Sequence, residues 1–212
     1  MLNMVMKRIL VLAPHTDDGE LGCGATLARF LEESNSIYYV AFSIAEKSLP
    51  YGLPYNTLEK EVLAATAELG IRRDNVIINR YEVRCFSYHR QEILEEMIKY
   101  KKDINPDLVL MPSLYDIHQD HHTISEEGLR AFKNCTILGY ELPWNNLSFE
   151  TKGFVKLNQE NLEKKIKSLE KYESQKDKIY FSKEFVLSWA RTRGVQIGCS
   201  FAEAFEIIRL IL

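Results

Sequence analysis

The sequence predicts a single α/β domain whose mostly parallel sheet is covered by helices on both faces, with its active site at the carboxyl ends of the strands. Three observations carry this expectation. Apolar runs at 8–13, 37–44, 75–79 and 106–112 are short and nearly continuous, as strands buried on both faces require. Segments with helical spacing separate them, giving a β-α-β-α-β-α-β rhythm. The 212 residues suffice for one full core, and no repeat or low-complexity segment interrupts the chain.

The elements follow in order. MLNMVMKRILVLA is read as leading into the first strand, because Lys7 and Arg8 break its apolar run and no cleavage-like site follows. Residues 20–33 place Leu21, Ala25, Leu27, Ala28 and Leu31 on one helical face. A strand at 37–44 precedes a Pro- and Tyr-containing loop, and whether residues 43–57 form a lid is left open. TLEKEVLAATAELGI reads as a helix closed by Gly70 at the position after its C-cap. The strand NVIIN, a helix from about Tyr88 to Lys102 and the strand PDLVLMP come next. Thr123 and Glu126 suggest a capping box, which would start a helix at SEEGLRAF and leave His118, Asp120 and His121 on a loop. TILGYEL reads as a strand, 161–175 as a charged amphipathic helix, and the tail from Ala190 as helix, loop, then strand or helix.

Two polar clusters stand at strand ends. In the first, APHTDDGELGCG (13–24), Asp17 and Glu20 could form a helix-capping box, which leaves His15 and Asp18 without a role. A phosphate-binding turn fits poorly: Gly19, Gly22 and Gly24 miss G-x-G-x-x-G, and two aspartates would repel a pyrophosphate. A metal site is the third reading. Hydrolytic zinc takes imidazoles and a carboxylate and keeps one position for water. His15 and Asp18 can supply two donors, and DIHQDHH (116–122) holds three of the chain's five histidines.

With these motifs the chain resembles the LmbE-like (PIG-L) de-N-acetylase superfamily. The family's A-H-P-D-D-E-E is similar to PHTDDGE, its H-x-D-H matches 118–121, and its Y-A-E-A-F tail resembles SFAEAF at 200–205. The resemblance implies a Rossmann-like three-layer sandwich and one Zn2+ per chain, or another divalent metal such as Fe2+. It implies His15, Asp18 and His121 as ligands, Asp17 as general base, His118 facing the developing oxyanion, and Asp120 orienting His118, a task Asp116 could also perform. Thr16, Gly19 and Phe201 depart from the motifs, and Phe201 removes any hydroxyl donation from its position.

The resemblance also implies an N-acetylated amino sugar as substrate, expected to be nucleotide-, lipid- or glycan-linked and used in surface polysaccharide synthesis. Arg84, His89, Trp144, Arg191 and Arg193 offer groups for stacking a sugar and holding an anion, and Glu203 of the tail motif is a further candidate contact. An amidase of the same fold acting on another N-acyl group, and a non-catalytic sugar- or metal-binding module, are the alternatives. A net charge of -3 disfavours nucleic acid, and no run approaches the ~20 apolar residues of a membrane span. Four scattered cysteines without CxxC spacing suggest a reduced, cytoplasmic protein. The oligomeric state is open, a homo-oligomer included.

Overall fold

Alternation along the first strand sets the layers. In β1 (Arg8–Ala13), Ile9, Val11 and Ala13 enter one apolar cluster and Leu10 and Leu12 the other, so helices must cover both sides. The computed structural model describes residues 7–211, and the reading of residues 1–6 lies outside the described residues. On one face pack α1 (Asp18–Glu32), α2 (Thr57–Leu69) and α5 (Gln159–Leu169); on the other pack α3 (Arg90–Ile104) and α4 (Gln119–Ala131).

The remaining strands are β2 (Ser36–Ala41), β3 (Val76–Ile78), β4 (Leu108–Pro112), β5 (Thr136–Tyr140), β6 (Gly153–Leu157) and β7 (Phe201–Arg209), and α6 (Lys183–Gln196) packs against β7. The sheet order is β3-β2-β1-β4-β5-β7-β6. All pairs from β3 to β5 are parallel, and β7 runs antiparallel to both its neighbours, so the mostly parallel expectation holds. Strand order reverses between β1 and β4. Chains leaving these two strands diverge to opposite faces, opening a crevice at their carboxyl ends. The segments leaving them are the two polar motifs.

Several expected boundaries move. Helix α4 begins at Gln119, so Asp120 and His121 lie in its first turn and the Thr123/Glu126 capping box does not form. His118 is the N-cap, its Nδ1 accepting from the Asp120 amide at 3.2 Å, while Thr123 Oγ1 donates to the Gln119 carbonyl. An imidazole is outside the usual Ser/Thr/Asp/Asn capping set, which hid this start. The helix expected over 161–175 ends at Leu169, and a separate short 3-10 turn covers Glu173–Gln175. Strand β6 and the early start of α6 were not anticipated; β6 is short and mostly half-buried, so it lacks a clear apolar alternation. The ambiguous tail is the strand β7.

Helix α1 is interrupted at Cys23, whose φ of -145° and ψ of 17° are non-helical. The break frees a carbonyl on one side and amides on the other. Lys165 Nζ donates to the Leu21 carbonyl at 2.6 Å, and Glu203 accepts from the amides of Ala25 and Thr26 at 3.3 and 2.7 Å. The two side chains also pair with each other at 2.6 Å, both almost fully buried. Glu203 therefore ties β7 to α1 and does not reach the cleft, which corrects its placement as a substrate contact.

No helix among the described residues is long and apolar enough to cross a membrane. Replacing Glu203 leaves a buried ammonium unpaired and two amides uncapped, so Glu203→Ala should lower unfolding stability by about 3–5 kcal/mol in urea titrations. A loss under about 1 kcal/mol would contradict the bracing role.

Candidate metal centre and cleft

The turn after β1 is held from beneath. Tyr39 and Tyr172, both fully buried, donate their hydroxyls to the Thr16 carbonyl at 2.9 and 2.7 Å. Both hydroxyls also meet the Glu20 carboxyl, and the Gly19 amide donates to Tyr39. Burial pushes Glu20 up to about 8, so near neutrality it is protonated and can donate to one of the two phenol oxygens. A Cβ at residue 19 would lie 2.5 Å from the Tyr39 ring. Glycine at this position is thus the condition for Tyr39 to reach the turn.

Above the brace, three donor atoms form a triangle. His15 Nδ1 is 3.1 Å from Asp18 Oδ2, His121 Nε2 is 3.2 Å from the same oxygen, and the two nitrogens are 3.2 Å apart. Tetrahedral zinc with bonds of ~2.0–2.1 Å separates its ligand atoms by ~3.3 Å, so the triangle matches one face of such a site. His15, His118 and His121 also fall within 4.8 Å of one another as an all-imidazole set. The set containing Asp18 is tighter, and it leaves His118 as the helix cap.

Each imidazole of the triangle is backed by a carboxylate on its other nitrogen. His15 Nε2 meets Asp120 Oδ2 at 3.0 Å, and His121 Nδ1 meets Asp116 Oδ2 at 2.8 Å. Such backing fixes ring orientation and raises ligand basicity. Asp120 also accepts from the Arg84 and Phe86 amides, and Asp116 from the His118 amide. The carboxylate of Asp120 therefore orients His15, and only its backbone amide meets the His118 ring; this corrects the side-chain role expected for it.

The ionisation states follow from burial and neighbours. Burial opposes charge on His15 and His121, yet Asp18 and the backing carboxylates prevail, raising His15 and pushing His121 up to about 10. Asp18 itself is held well below the usual carboxylate range by the two imidazoles, against its desolvation. Asp17 carries no helix-capping hydrogen bond and lines the cleft; desolvation and the adjacent Asp18 raise it. Burial and the two neighbouring imidazoles depress His118 to about 4. Its ring is neutral near pH 7, and because Nδ1 accepts a hydrogen bond, Nε2 carries the proton. His118 is therefore a neutral donor that faces the cleft.

The cleft over these groups has a volume of about 370 Å3. Of the candidate substrate contacts, Arg84 and Trp144 line it. Arg193 does not: it pairs with Glu141, which also accepts from Trp189, beside a separate groove. His89 bonds Glu92, and Arg191 lies over the Phe201 ring. Phe201 is buried with Ala25, Leu162 and Ala190, so the tail aromatic does not enter the cleft. Sequence reasoning missed Gln175, Lys178 and Tyr180, which line the cleft from a stretch read as the end of a charged helix and its sequel.

Residues 10–132 match the model of the PIG-L family, described as GlcNAc-PI de-N-acetylase. A curated relative, "Uncharacterized deacetylase YaiS" of Escherichia coli, is 28% identical over 173 residues, covering 79% of this chain and 91% of its own. The conserved protein TT1542 of Thermus thermophilus superposes with a TM-score of 0.81 at 25% identity, covering 98% of this chain and 97% of that one. N,N'-diacetylchitobiose deacetylase of Pyrococcus horikoshii gives 0.80 at 21% identity, covering 95% and 84%, a likeness of fold.

Metal uptake must displace protons from the raised imidazoles, so affinity rises with pH. Zinc affinity measured by chelator competition should increase at least about tenfold from pH 6 to pH 8, with proton release. A pH-independent affinity would contradict the assignment. Asp116→Asn and Asp120→Asn should each weaken zinc binding by about 10–100-fold.

Proposed function

The chain belongs to the PIG-L family, and from that premise we propose that it is a metal-dependent hydrolase removing the N-acetyl group from an amino sugar. The observation that carries this reading is the donor triangle with two further groups, Asp17 and His118, left free of it in the same cleft. A binding site alone would need neither.

His15 Nδ1, Asp18 Oδ2 and His121 Nε2 would hold the ion, zinc or another divalent metal such as Fe2+. When bound, it supplies Lewis acidity that polarises an amide carbonyl and lowers the pKa of water to ~7. Asp17 accepts the proton of the attacking water; its raised pKa brings it toward the operating range of a general base. The His118 Nε2–H donates to the carbonyl oxygen as negative charge collects there. The hydroxyl joins the acyl carbon, the C–N bond breaks, and Asp17 returns its proton to the departing amine, giving acetate and a free amino sugar.

A cleft of this size suits one sugar residue with its acyl group, and the rest of a linked substrate would project past Trp144 and Tyr180. The expectation of a nucleotide-, lipid- or glycan-linked sugar for surface polysaccharide synthesis stands on the family resemblance.

Acetate release by the zinc-loaded protein from free, nucleotide-linked and lipid-linked N-acetyl sugars tests the reading. Asp17→Asn should keep its zinc and lose about 10²–10⁴ in turnover; unchanged turnover would remove Asp17 as base. His121→Ala should lose both zinc and activity, and full zinc occupancy in that variant would remove it from the ligand set.

A further inference from the structure

We propose that the mouth of the cleft is an anion subsite, in which Arg84 and Lys178 select an amino sugar bearing a phosphate or carboxylate over a neutral one. The proposal rests on the amino-sugar reading above and narrows it. Asp17 and Asp18 are the acids lining the cleft, and Arg84 and Lys178 are its lysine and arginine side chains. The carboxylates of Asp17, Asp18, Asp116 and Asp120 gather around the place of the ion and the two imidazoles, whereas Arg84 and Lys178 are exposed at the rim of the cleft.

Neither cation forms a salt bridge among the described residues, although Arg80, Arg90, Arg193 and Lys165 all do. Arg84 Nη2 donates to Ser48 Oγ at 3.2 Å, and Lys178 Nζ stands 5.6 Å from the Tyr180 ring centre. Trp144 stacks on Tyr180 with centroids 4.1 Å apart and planes 14° from parallel, giving the same cleft a flat aromatic wall. Sugars present apolar C–H faces to such walls, while charged substituents seek the cations beside them.

The backbone of Arg84 adds a second observation. Its φ of 70° is left-handed, a conformation non-glycine residues adopt only when their surroundings hold it. The hold here is Asp120 Oδ2, which accepts from the Arg84 amide at 2.6 Å and also meets the His15 ring. One carboxylate thus fixes a metal-ligand candidate and the residue that carries a cation into the mouth. The distance between the ion and the anion subsite is set by the protein and not by the flexible guanidinium stem alone.

The test is calorimetric binding of N-acetylglucosamine 1-phosphate, N-acetylmuramic acid and methyl N-acetylglucosaminide to zinc-loaded Asp17→Asn, which suppresses turnover. The phosphate or the carboxylate sugar should bind at least about tenfold tighter than the methyl glycoside, and the arm that does so identifies the anion. The preference should shrink as salt rises, since the screening length falls from ~10 Å at 0.1 M to ~3 Å at 1 M. It should also collapse when Arg84→Gln and Lys178→Gln are added. Equal binding of all three sugars, or no binding of either anionic sugar at millimolar concentration, overturns the proposal. A preference that survives both substitutions assigns the anion to the metal and overturns it as well. Acetate release from the methyl glycoside by the unsubstituted enzyme reads the hydrolytic function separately: an anion preference without hydrolysis of any sugar would leave the subsite standing and remove the deacetylase reading.

Discussion

Three donor atoms within 3.2 Å of one another are the constraint around which this molecule is arranged. Two imidazole nitrogens and a carboxylate oxygen at that spacing, nearly removed from water, tolerate each other only with a positive charge among them. In the absence of metal the charge is protons, and the raised His15 and His121 record it. The carboxylates of Asp116 and Asp120 behind the rings deepen the same preference. A divalent ion satisfies all of these groups at once.

The fold supplies the position and the local packing supplies the rigidity. Pairing β1 directly with β4 brings two motifs about a hundred residues apart in sequence to one sheet edge. Beneath the first motif, Tyr39, Tyr172 and protonated Glu20 clamp the Thr16 carbonyl, so the turn cannot relax away from the second. Beside it, Lys165 and Glu203 mend the break in α1 and anchor the last strand to the same helix. These buried polar groups are satisfied within closed networks, which is the condition under which burial rigidifies instead of destabilising.

The parallel sheet was legible because its strands are nearly pure apolar runs, and the candidate centre stood out because histidine and aspartate recur at two strand ends. What was not legible had specific causes. The cap by the His118 ring broke the expected start of α4, since an imidazole gives no familiar capping signal. Asp120 was assigned to the wrong imidazole, because a residue's side chain and amide can serve different neighbours and spacing alone does not separate them. Glu203 and Arg193 looked available in sequence, whereas their partners Lys165 and Glu141 come from distant elements. Lys178 and Tyr180 went unseen because they reach the cleft from a segment between α5 and α6 without regular periodicity.

We infer that His15, Asp18 and His121 together hold the ion while His118 stays outside its shell. X-ray absorption at the zinc edge of the zinc-loaded protein tests this most directly. One zinc per chain, nitrogen and oxygen ligands at ~2.0–2.1 Å, and scattering from two imidazoles are the expected result. Scattering from three imidazoles, or a protein that binds no zinc, would contradict it.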